Sequence, residues 1–132
     1  MKKVIFVVVL LLLSNPALAA STGNSADDKG SLYNGAKKLI LRAKKLEKKD
    51  KVEKALKLYS KAHDKLMKAY SKDKKDADIL NYLGFTLRKA GNFDAAEKFY
   101  LAGLKIKPNH KGINEYLGEL YIKTNRIELA KE

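Results

Sequence analysis

The sequence has no cysteine, no tryptophan and only two prolines among its 132 residues. Without cysteine there is no disulfide, no thiolate metal ligand, no cysteine nucleophile and no lipidated N-terminal cysteine. So few prolines leave long stretches free to be helical. Arginine is scarce as well, supplying three of the 28 basic residues, Arg42, Arg88 and Arg126. Surfaces that read phosphate favour the two-pronged arginine fork, so a lysine-dominated charge suits that work poorly. No serine-nucleophile motif and no glycine-rich phosphate loop is present. The two histidines, His63 and His110, have no neighbour at metal-ligand spacing. His63 falls beside an apolar stripe, where a half-buried packing role is expected. His110 falls in a turn and is expected to be solvated. Glu115 and Glu119 stand four apart on one helix face, which suits a solvated surface. No enzyme, metal or cofactor is expected.

What is present begins with a basic Met1-Lys2-Lys3 and an unbroken apolar run from Val4 to Leu13. As a helix this run reaches only ~15 Å, about half a bilayer core. Ser14-Asn15-Pro16 breaks it, and Ala17-Leu18-Ala19 supplies small residues where a signal peptidase reads. Residues 1–19 are therefore expected to be a cleaved signal peptide, with the mature chain in the periplasm or outside the cell. No later segment is apolar enough to span a membrane. Residues 20–31 are small and polar and are expected to form a flexible leader.

A period of 34 residues separates Gly84 from Gly118, Leu83 from Leu117, and Ala62 from Ala96 and Ala130. Within residues 77–110, Leu80, Leu83, Gly84 and Leu87 share one helical face. Ala96 and Tyr100 share a second, and Pro108 closes the window. Gly91-Asn92 is a helix stop and turn signal. Two antiparallel helices joined by a tight turn follow. This spacing resembles the tetratricopeptide repeat: large and small residues on a first helix, small then aromatic on a second, proline at the exit. A second copy begins at Lys111, with Leu117, Gly118 and Tyr121 in first-helix positions, Asn125 at the turn and Ala130 matching Ala96. Only about two turns of its second helix fit before Glu132, so a truncated reading frame or a partner covering this end is expected.

Residues 32–76 are a looser relative. Val52, Ala55, Leu56, Tyr59, Ala62, Leu66, Ala69 and Tyr70 make one stripe of a long helix over 51–72. The stripe Ala36, Leu39, Ile40, Ala43 and Leu46 belongs to the helix before it. The turn between them falls at 48–51, not where the period would put it. The segment reads as a degenerate, lysine-rich helical hairpin that caps the array. The expected fold is all-α, antiparallel hairpins stacked as a short right-handed solenoid.

The formal net charge is +13, and residues 37–76 hold 16 basic against six acidic side chains. A solvated polar face accounts for such a run. The alternative is a surface for anionic membrane or envelope polymer, carried by Lys54, Lys57, Lys61 and Lys65. Export makes nucleic acid the least fitting anion.

The resemblance implies a protein-binding groove lined by the first helices of successive repeats. Carried over by position, that groove would hold Asp78, Asn81, Tyr82, Phe85, Arg88 and Lys89. From the second copy it would hold Glu115, Tyr116, Glu119 and Lys123. The repeat pattern does not require Tyr82, Phe85 or Tyr116 to be aromatic. Exposed, they would anchor a partner; packed on the neighbouring hairpin, they would be core. Some family members clamp a carboxylate, but Phe85 and Glu119 stand where such a clamp needs polar or basic groups. The function implied is a non-enzymatic interaction module for a protein or peptide partner.

Overall fold

The computed structural model describes residues 25–132, and all regular structure among them is helical. The expected signal peptide and the first part of the leader lie outside the described residues. Five helices follow in order: α1 Ser25–Glu47, α2 Val52–Lys72, α3 Ala77–Lys89, α4 Phe93–Ile106 and α5 Lys111–Lys123. A short 3-10 turn, Leu129–Lys131, ends the chain. Each helix packs on its neighbour in sequence, and α3 also touches α5. This is a stack of antiparallel helical hairpins. The first helices of the hairpins, α1, α3 and α5, lie on one side of it.

The hairpin turns share one device. Asp50, Gly91 and Asn125 all have positive φ, at 56°, 82° and 59°. After α3, the Gly91 N–H bonds to the Arg88 carbonyl at 3.0 Å and the Asn92 N–H to the Leu87 carbonyl at 2.9 Å. This paired closure satisfies carbonyls that a helix end leaves open. The same two bonds recur 34 residues later, from Asn125 to Ile122 and from Arg126 to Tyr121. They recur again before α2, from Asp50 to Glu47 and from Lys51 to Leu46. Glycine reaches the left-handed region freely and Asn or Asp tolerates it, so three different residues mark equivalent turns.

The looseness of the N-terminal hairpin has a simple origin. Helix α2 has 21 residues and α4 has 14. Their C-terminal ends keep the 34-residue register, Lys72 matching Ile106, and the extra two turns sit at the start of α2. Its Ala55, Tyr59, Ala62, Leu66 and Ala69 recur every three or four residues and are buried against Ala36, Ile40 and Ala43 of α1. A second core joins Ala96 and Tyr100 to Ile113, Leu117, Leu120 and Tyr121.

Two expectations change here. Residues 25–31, expected as flexible leader, are helical. Lys29 donates to Asp73 at 3.0 Å and to Asp76 at 3.1 Å, and Asp28 pairs with Lys72 at 2.8 Å. Lys29 and the backbone N–H of Lys75 hold the Asp73 carboxyl below its ordinary range. Local composition does not register these partners, more than forty residues away. His110, expected in solvent, is only 8% exposed. It caps the start of α5, its Nδ1 accepting from the Ile113 N–H at 3.1 Å. Asp76 does the same one period earlier, accepting from the Asp78 and Ile79 N–H groups. Such a cap is worth about 1 kcal/mol. An accepting Nδ1 leaves the proton on Nε2, which faces Asp78 Oδ1 at 2.8 Å.

Candidate functional site: the cleft between α1, α3 and α5

A cleft of about 340 Å³ opens among the last turns of α1 and α3 and the middle of α5. Its floor is aromatic. Phe85 is 2% exposed, with the Tyr59 ring edge-on at 5.6 Å and the Tyr116 ring tilted at 4.9 Å. Aromatic pairs prefer these offset arrangements because ring edges are positive and faces negative.

Cations cover the negative faces. Lys44 Nζ stands 4.7 Å from the Phe85 ring centre and 5.6 Å from that of Tyr116, and it donates to the Tyr116 hydroxyl at 3.2 Å. The Arg88 guanidinium lies 5.6 Å from Phe85 and 5.4 Å from Tyr116. Such contacts contribute most when partly desolvated. Carboxylates close the network. Arg88 pairs with Glu119 at 2.7 Å, and Lys89 with Glu47 at 2.9 Å. The Tyr59 hydroxyl donates to the same Glu47 at 2.8 Å. Burial, then that bond to Glu47, pushes the Tyr59 phenol above its ordinary range. Among the described residues, buried Arg88 Nε and the Tyr100 hydroxyl have no hydrogen-bond partner.

One helix pair of the stack, α3 with α4, carries a family signature. Residues 77–110 match the family model of the tetratricopeptide repeat. This segment is similar to a tetratricopeptide repeat. No curated protein matches the chain. The repeat is generally a protein-interaction module without catalysis.

Of the residues placed in the groove by position, Phe85, Arg88, Lys89, Glu115, Tyr116 and Glu119 line the cleft. Tyr82 is half-buried and packs on Tyr33 of α1 at 5.9 Å. Burial raises its phenol pKa. The aromatic side chains thus pack on neighbouring hairpins, and Phe85 is a floor and not an open anchor. Asn81 is 6% exposed and lies under the start of α5, against Gly112. Asp78 is exposed and holds His110 at the far end of the groove. Lys123 lies apart, beside Arg88, Gly91 and Phe93.

Among the repeat positions, Leu80, Leu83, Gly84, Ala96, Tyr100, Leu117 and Tyr121 are buried. Leu87, Gly118 and Ala130 are partly covered, and Pro108 is exposed in its turn. Lys54, Lys57, Lys61 and Lys65 are exposed on α2, with Lys57 paired to Glu53 at 3.1 Å.

The 34-residue period missed Lys44, Glu47 and Lys48, which form the α1 wall of the cleft. Counting back from the three positive-φ turns finds them. Six residues before the turn stand Lys44, Phe85 and Glu119; two before it stand Lys48, Lys89 and Lys123. The signal was there, but Asp50 does not look like a turn glycine, and the longer α2 hides the register.

Among the described residues, no helix is long and apolar enough to cross a membrane.

Proposed function

We propose that this chain is a non-enzymatic adaptor, exported to the periplasm or beyond, that binds a partner peptide or protein in the cleft between α1, α3 and α5. The observation that carries the reading is the aromatic floor of Phe85 and Tyr116, ringed by side chains of both signs on three successive first helices. An extended segment lying across them would contact a lysine-bearing wall on α1 and a glutamate-bearing wall on α5. Export rests on the basic start, apolar run and small-residue site at 1–19.

The test is capture of partners from envelope extract on the immobilised chain, at low and high salt. Phe85 is unsuitable for substitution because it is core. Lys48→Glu with Glu115→Lys alters both walls while leaving the floor intact. A discrete protein that survives high salt and is lost in the double variant supports the cleft. Capture that ignores the variant removes the cleft from consideration.

The alternative is attachment to anionic membrane or polymer through Lys54, Lys57, Lys61 and Lys65. It is favoured by their exposure along one helix. Binding to anionic vesicles that collapses with salt and with reversal of these four lysines would move the function there.

A further inference from the structure

A second pocket, of about 300 Å³, lies where the first half of α2 passes the last turn of α3, and it shares no lining residue with the cleft. Leu56, Leu87, Ala90 and the Tyr59 ring make its walls apolar. The Tyr59 hydroxyl is already bonded to Glu47. The polar groups that remain are Ser60, His63 and Thr86. The Thr86 hydroxyl donates to the Tyr82 and Leu83 carbonyls, so at 3.0 Å it accepts from His63 Nδ1. That bond fixes the tautomer: Nδ1 carries the proton and Nε2 the lone pair. Burial lowers the imidazole pKa, which keeps the ring neutral and Nε2 an acceptor at neutral pH. One period later the equivalent place, between α4 and α5, is filled. Adding 34 to Tyr59, His63 and Leu87 gives Phe93, Glu97 and Tyr121. Tyr121 is 9% exposed, and its hydroxyl donates to Glu97 at 3.2 Å. There, an acceptor on the second helix of one hairpin is answered by a phenol from the next. Between α2 and α3 the acceptor remains, as His63, but Leu87 stands where the phenol would be and has no donor.

We propose that a small phenol occupies this pocket, its ring taking the place that Tyr121 fills one period later and its hydroxyl donating to His63. The volume is at the lower end of the range for ligand sites and suits a compact, largely apolar molecule. The walls select a free molecule over the tyrosine of a partner peptide. Every lining residue lies within α2 or α3, except Ala90, which caps α3 with its N–H bonded to the Thr86 carbonyl. Backbone N–H groups inside a helix are already bonded to carbonyls one turn back, so these walls offer no donors to a peptide backbone. They offer apolar contact and one fixed acceptor, which a phenol uses in full.

The test is an NMR titration of the chain with para-cresol, which is a tyrosine side chain without its backbone. Beside it run para-fluorotoluene, with fluorine in place of the hydroxyl, and N-acetyltyrosinamide. Signals of the His63 ring and of the Leu56 and Leu87 methyl groups report the pocket. The expected result is saturable binding of para-cresol at about millimolar concentration. Para-fluorotoluene should bind about fivefold more weakly for want of the hydrogen bond, and N-acetyltyrosinamide more weakly than para-cresol. Leu87→Tyr supplies the phenol that the next repeat carries and should abolish binding. Ser60→Trp, at an exposed position on the rim, should block the pocket without touching the core. A thermal melt verifies that each variant is folded. No saturation of these signals by para-cresol up to its solubility limit overturns the proposal. So does equal binding of para-fluorotoluene, or binding that persists in either folded variant. Tighter binding of N-acetyltyrosinamide overturns it too, and hands the pocket to a partner's tyrosine.

Discussion

Gly84 lies directly beneath the ring of Tyr100, and no side chain larger than hydrogen fits between α3 and that ring. Both residues are buried, and Tyr100 is fully so. The ring has no solvent to swing into, so a methyl group here must displace a helix. Gly84→Ala is expected to cost about 1–3 kcal/mol, despite the gain in helix propensity. Gly118→Ala, with nothing above it, is expected to stabilise the chain by up to about 1 kcal/mol. Urea titration of the pair checks both signs; equal effects would break the argument.

Phe85→Ala removes the ring between Tyr59 and Tyr116 and leaves Lys44 and Arg88 over a cavity. A loss of about 3–5 kcal/mol is expected. Tyr82, packed at the edge on Tyr33, should be less costly to truncate. Thermal melts of the two single variants give the ranking, and a milder Phe85 variant would mean that the floor is not core.

His110→Ala removes the α5 cap and the contact with Asp78 together. The expected cost is about 1–2 kcal/mol. His110→Asn restores a side-chain acceptor for the Ile113 N–H and should recover part of it. Chemical denaturation with all three chains decides this, and no recovery in the asparagine variant would show that the cap is not what matters.

His63 sits half-buried with Nδ1 3.0 Å from Thr86 Oγ1. That hydroxyl already donates back to the Tyr82 and Leu83 carbonyls, so His63 is the donor between them. Burial lowers the imidazole pKa below 6.5, against an upward pull from Asp64. The unfolded chain then binds the proton more readily than the folded one. The contribution to stability is full above about pH 6.5 and is lost as pH falls through the lowered folded value. His63→Gln should flatten this slope between pH 7 and 5. Melting temperature against pH for both chains is the measurement, and parallel slopes would count against it.

Lys29 fastens the start of α1 to Asp73 and Asp76. Lys29→Met should speed amide exchange in the first turns of α1 while leaving residues 36–43 protected. Raised salt should act on the wild type in the same direction. Unchanged exchange at residues 28–33 would mean that Leu32 and Tyr33 alone hold the helix down.

The sequence by itself determined the helices, because apolar residues recur every three or four positions along each one, and Gly91 and Asn125 stop two of them where the pattern stops. It also determined the repeat over 77–110, since a small residue is needed wherever an aromatic ring from the next helix arrives. Six cleft residues followed from the groove positions that the resemblance implies, carried over through that register. What remained was decided by contacts between distant segments. The first turns of α1 are tied by ion pairs to Lys72, Asp73 and Asp76, and His110 is buried with its Nε2 against Asp78, 32 residues earlier. The α1 wall of the cleft depends on two extra turns of α2 that shift the first hairpin out of the period. Whether an aromatic residue anchors a partner or fills a core is likewise a tertiary matter. Tyr82, Phe85 and Tyr116 look alike in sequence. Only the distance to the next helix made Phe85 a floor, because burial is a property of what lies above a residue and not of the residue itself.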